Sequence, residues 1–189
     1  MRGAMLAAEH FDRIVDFLRG IGLPVEVGPF GPAGFLPGVT IADGGLRVDP
    51  EHLYVSGDLL HEAGHMATVP ARLRAGLGND LETSLRALAG DDPDPLLRTA
   101  IDQTEVMALA WSYAALRALD LPPDTLFFAG GYRMDGEQQV RFLHLLESGN
   151  NFGIGHLARL GMTGPCGIMA MLQSNGLPPF PQMTRWLAA

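Results

Sequence analysis

Apolar positions fall at helical spacing over some stretches of the chain and at alternate positions over others. Leu6, Phe11, Ile14, Val15 and Leu18 follow the first pattern and predict an amphipathic helix over residues 5–19, stopped by Gly20. The run LPVEVGPFGPAGFLPG at 23–38 holds many of the prolines and glycines, which predicts a short strand at Val25–Val27 and then a shaped loop. In GVTIADGGLRVDP, Val39 and Ile41 alternate with polar neighbours, and so do Leu46 and Val48. Asp43-Gly44-Gly45 between them is a hairpin turn signal.

Ser56 is placed to cap a helix running to about Ala67, with Pro70 just beyond its end. A shorter helix is expected over 80–89, broken by GDDPDP. Asp94-Pro95 then opens a long helix over 95–119, with an apolar spine that includes Leu97, Ile101, Val106, Leu109, Tyr113 and Leu116. An apolar run at 125–129 and a Gly-Gly-Tyr turn come next, and further helices are expected at 136–147, 153–160, 164–174 and 181–188. No repeat or long linker divides the chain, so one domain over 1–189 is expected. Helix, ribbon and then many helices predict an α+β fold, mainly helical, with a small sheet on the helical body.

Composition narrows the class. Apolar residues make up 47% and charged residues 18%, which is globular and not disordered. A net charge of −8 supplies no basic surface for phosphates, so no nucleic acid is expected as a partner. One cysteine, Cys166, can form neither an internal disulfide nor a multi-cysteine zinc site. The apolar run at the N-terminus is too short for a signal peptide and no run reaches membrane-spanning length. These features predict a soluble, cytoplasmic protein with no membrane partner; they leave its oligomeric state open.

The candidate chemistry lies in DLLHEAGH, residues 58–65. On a helix, residues four apart share a face, so His61 and His65 can present two imidazole nitrogens to one point. Glu62 is offset by one position and can instead reach a water at the metal. Two ligands and a general base is the division of labour in H-E-x-x-H, and it predicts Zn2+. Gly64 within that helix costs about 1 kcal/mol relative to alanine, so close backbone packing beside a buried site is expected there. Asp58, one turn before His61, is placed to orient that histidine or to favour the helix N-terminus.

A catalytic zinc needs a third protein ligand and an open position. Thr68 and Ala71 stand where a metzincin needs glycine and histidine, so that extension is excluded. No cysteine precedes the motif, and Cys166 lies far downstream. The remaining candidates are carboxylates: Glu82, Asp102 and Glu105. Glu105 is chosen because the chain turns apolar directly after it, through Val106, Met107, Leu109 and Trp111, and a buried acid needs a partner or a metal. Asp102, one turn earlier, is second. For the oxyanion of an amide hydrolysis, Tyr132 in the turn GGYRMDG is placed first, with Arg133, His144 and His156 as alternatives.

HEAGH on a helix, followed about 40 residues later by a glutamate on a second helix, resembles the gluzincin class of zinc metallopeptidases. Among small bacterial versions it looks most like the ImmA/IrrE-type peptidases, over residues 38–119. The resemblance implies a zincin-like domain, His61, His65 and Glu105 as ligands, Glu62 as base, and a peptide or protein substrate. It further implies that the strand before the motif helix, Val39–Ile41 or Leu46–Val48, offers its edge to an extended peptide. The chain lacks an evident helix-turn-helix partner domain, and its candidate third ligand follows later than in thermolysin-like enzymes.

Overall fold

A computed structural model describes residues 10–91, 94–128, 136–172 and 174–189. Helix α1, Phe11–Gly20, buries Ile14, Val15 and Leu18, the apolar face that its spacing predicts; the expected start at residue 5 lies outside the described residues. Strand β1 is Val25–Val27, β2 is Val39–Ala42 and β3 is Gly45–Val48. They form a three-stranded sheet in the order β1-β3-β2. β2 and β3 are an antiparallel hairpin with Val39 opposite Val48 and Ile41 opposite Leu46, and β1 joins β3 in parallel with Val25 opposite Leu46. The turn is Asp43-Gly44, with φ of 52° and 75°. Two positive φ values are what a two-residue type I′ hairpin requires, and Gly45 is thereby released to begin β3.

The remaining elements are helical: α2 at Gly57–Thr68, α3 at Ala71–Arg74, α4 at Leu81–Ala89, α5 at Pro95–Asp102 and α6 at Thr104–Ala118, then a 3-10 turn at Pro123–Thr125, α7 at Gly136–Glu147, α8 at Phe152–Arg159 and α9 at Met169–Leu172. The fold is α+β and mainly helical, with the small sheet ahead of the motif helix. Among the described residues no helix is long and apolar enough to cross a membrane.

Helix α2 is the axis of the core. All twelve of its residues are buried, charged ones included. Its main partner is α6, buried from Met107 to Leu116. The two backbones approach closely because Gly64 faces Ala108; a Cβ there would lie 2.6 Å from Ala108 O. Ser112 Oγ, on α6, lies 2.9 Å from Leu60 O and ties the helices together without leaving a polar group unpaired.

Three sequence expectations are corrected. The single helix over 95–119 is two, α5 and α6, broken at Gln103 with φ −124° and ψ 21°. Gln103 N still bonds Thr99 O and Met107 N bonds Gln103 O, but the backbone leaves helical geometry at Gln103 and α6 begins at Thr104. The helix expected over 164–174 shrinks to α9, because Pro165 lacks a donor and Gly167 takes a left-handed φ of 54°. The helix expected over 181–188 does not form. Pro181 would be tolerated at a helix start, so it does not account for the loss; Met183 instead pairs with Thr163 in an isolated bridge, and just before the segment Pro179 pairs with Gly164.

Candidate metal centre

The helical spacing that sets His61 and His65 on one face of α2 turns both Nε2 atoms towards the first turn of α6. The two Nε2 atoms are 3.1 Å apart. Glu105, in that first turn, brings Oε2 to 3.4 Å from His61 Nε2 and Oε1 to 3.3 Å from His65 Nε2. A tetrahedral ion bonded at about 2.0–2.1 Å holds its ligand atoms about 3.3–3.4 Å apart. Charge-assisted N–H to carboxylate bonds, the alternative explanation, run at about 2.7–2.9 Å. Each histidine nitrogen faces a different oxygen of the one carboxylate, and both separations are longer than such bonds. His61, His65 and Glu105 therefore have the donor types and the separations to hold a divalent cation.

The histidines are 5% and 2% exposed, whereas the Glu105 side chain is 71% exposed. Sequence reasoning expected Glu105 to be drawn in by its apolar neighbours. Instead it lies at the rim, because the break at Gln103 puts it at a helix start and not on the packed face. Burial raises its carboxyl, but hydrogen bonding and charge from His61 and His65 outweigh that and hold it well below the usual carboxylate range. The N-terminal turn of α6 favours the same charged form.

Glu62 is 6% exposed and lines a cleft of roughly 770 Å³ together with His65 and Glu105. The cleft is walled by α4, the end of α5 and the loop before β2. Burial pushes the Glu62 carboxyl up to about 7; attraction to His61 opposes this and the Glu105 charge adds to it. Asp58 is buried one turn earlier and is pushed up to about 6, mainly by burial, against attraction to His61 and a hydrogen bond from Val55.

Both shifts lie above the unfolded values of about 3.9 and 4.3, so ionisation works against the native state. Their stabilising contribution is complete below about pH 4 and is lost as pH rises through 6 and 7. Chelator-treated protein is expected to be more stable in urea at pH 5 than at pH 8 by a few kcal/mol, and Glu62→Gln should reduce the difference while leaving the part due to Asp58. Equal stability at both pH values in the unmutated chain would show that neither carboxylate is penalised.

The other candidates are placed elsewhere. Asp102 Oδ1 lies 3.6 Å from Arg86 Nη2, and Glu82 Oε1 lies 3.0 Å from Arg86 Nε, so both acids answer the arginine on the cleft wall. Tyr132 and Arg133 lie outside the described residues. His144 lines a separate hollow on α7, and His156 Nδ1 is 3.4 Å from Arg159 Nη1. Among the described residues no fourth His, Cys, Asp or Glu joins the cluster.

The strand edge expected to take a peptide is already bonded. β3 is paired on both sides, so Leu46–Val48 has no edge to offer. On β2, Val39 N–H donates to Leu36 O at 3.2 Å and Ile41 N–H donates to Asn79 Oδ1 at 2.8 Å. Sequence reasoning missed Asn79, and it missed Thr104, whose Oγ1 lies 2.8 Å from His65 Nδ1. The only sequence signal for Thr104 is its place directly before Glu105.

Comparison with protein-family models, with curated proteins and with solved structures finds no match to this chain.

Proposed function

We propose that the chain is a zinc-dependent hydrolase, of the metallopeptidase kind, with His61, His65 and Glu105 as ligands and Glu62 as general base. The observation that carries this reading is the convergence of His61 Nε2 and His65 Nε2, 3.1 Å apart, on the Glu105 carboxylate, whose oxygens face one histidine each at 3.4 and 3.3 Å, beside a cleft that Glu62 also lines. Two imidazoles and one carboxylate are a donor set that suits zinc. The ion supplies Lewis acidity, which polarises a carbonyl and acidifies water. Glu62 receives the proton of the attacking water and returns it to the leaving amine. The cleft's volume is in the range of ligand-binding sites and fits a short stretch of peptide. The gluzincin resemblance, and within it the ImmA/IrrE-type peptidases, supports a peptide or protein substrate. Tyr132 stays the proposed oxyanion donor on the sequence alone.

The competing reading is a closed zinc site in an interaction module. It needs a fourth protein ligand. The exposure of Glu105 and the adjoining cleft favour an open position instead.

The test is metal analysis of the purified protein, joined to hydrolysis of a mixed peptide library. Bound zinc is expected, with cleavage that a chelator abolishes. Glu62→Gln should keep the zinc and lose activity by about 10²–10⁴-fold. Protein that takes up no metal, or a Glu62→Gln variant that cleaves normally, would sink the proposal.

A further inference from the structure

The His65 ring is held at its far side by a hydroxyl. Thr104 Oγ1 lies 2.8 Å from His65 Nδ1, while His65 Nε2 faces Glu105 Oε1 at 3.3 Å. Thr104 is the first residue of α6 and directly precedes Glu105, so one helical turn supplies both a ligand and the group that aims another. A neutral imidazole carries a single ring proton. With an ion on Nε2, that proton must sit on Nδ1 and needs an acceptor. Without the ion, the Glu105 carboxylate favours the proton on Nε2, and Nδ1 then needs a donor. A hydroxyl fills both roles by rotating, whereas a carboxylate or carbonyl can only accept.

Resting on the metal-centre reading above, we propose that Thr104 is a positioning residue that keeps the His65 ring aimed at the metal position both with and without the ion. The ring therefore need not reorient when metal arrives, and affinity is gained by preorganisation.

The test compares wild type, Thr104→Val and Thr104→Ser for Zn2+ affinity by chelator competition. The valine variant is expected to bind about 10–100-fold more weakly, and the serine variant to stay within about threefold of wild type. Nitrogen NMR of the His65 ring in zinc-loaded wild type should show the proton on Nδ1, and a loaded ring without it would overturn the inference. Thermal unfolding of the metal-free proteins checks that each variant folds. If wild type binds zinc and the valine variant binds equally well, the inference about Thr104 fails while the metal centre stands. Equal losses in valine and serine variants also overturn it, since packing alone would then explain the effect. If wild type binds no zinc, the metal-centre reading fails first and the inference fails with it.

Discussion

Glu105→Ala is expected to lower zinc affinity by about a hundredfold or more. Four-ligand zinc sites bind with roughly 10–16 kcal/mol, so one ligand accounts for about 3 kcal/mol, a little over two decades in affinity. Two features sharpen the expectation at this position. Glu105 is the proposed site's only anionic ligand, and its two oxygens sit 3.3 and 3.4 Å from the two histidine nitrogens. Its removal leaves two imidazoles on one helix and no charge to offset the ion. Asp102 cannot substitute, because it is turned to Arg86. Zinc titration of Glu105→Ala beside Asp102→Ala checks this. Binding undiminished in the first and lost in the second would reverse the choice between the two carboxylates.

Gly64→Ala is expected to destabilise the fold although alanine is the better helix former. Alanine gains about 1 kcal/mol of helix propensity. Against this, its Cβ would stand 2.6 Å from Ala108 O and 3.0 Å from Ala108 Cα and Ser112 Oγ. The nearest obstacles are backbone, which cannot rotate aside, and overpacking of this kind costs about 1–3 kcal/mol or more. The clash should win, with α6 pushed off α2 and Glu105 carried with it. For a chain of this size each kcal/mol lowers the melting midpoint by about 2–4 °C. Thermal unfolding with and without zinc should therefore show a lower midpoint and a smaller gain on adding zinc. Gly20→Ala is the control, since a Cβ there meets nothing within 4 Å. An unchanged midpoint in Gly64→Ala would mean the helices have slack at their crossing.

Local signals account for what could be read in advance. The hairpin is written in alternation and in Asp43-Gly44, and α2 in its apolar neighbours and Pro70, although Ser56 stands at the N-cap position without making the expected side-chain cap bond. The close packing expected from Gly64 is what the crossing with α6 provides. The failures have a different origin. Nothing in AIDQTEVM breaks a helix, so the break at Gln103 has no local signal; it falls just before the stretch from Met107 that packs into the core, a tertiary setting that overrides propensity. The tail over 181–188 has apolar residues at helical spacing, but Met183 pairs with Thr163, in a segment that no local pattern identifies. The contacts at Thr104 and Asn79 each join residues 38 or more positions apart, beyond the reach of any periodicity argument.

The close crossing of α2 and α6 also has a kinetic consequence. Both histidines come from one helix, so the unfolded chain can offer an ion two donors early, through local helix formation alone. The third donor arrives only when the intervening chain has closed into a loop and the helices have met. Loop closure is the slow, entropy-limited part of folding. For the proposed zinc site, tight capture during refolding is therefore expected to coincide with helix docking. Excess zinc is expected to slow unfolding more than it speeds folding, because the full ligand set exists only on the native side of the barrier.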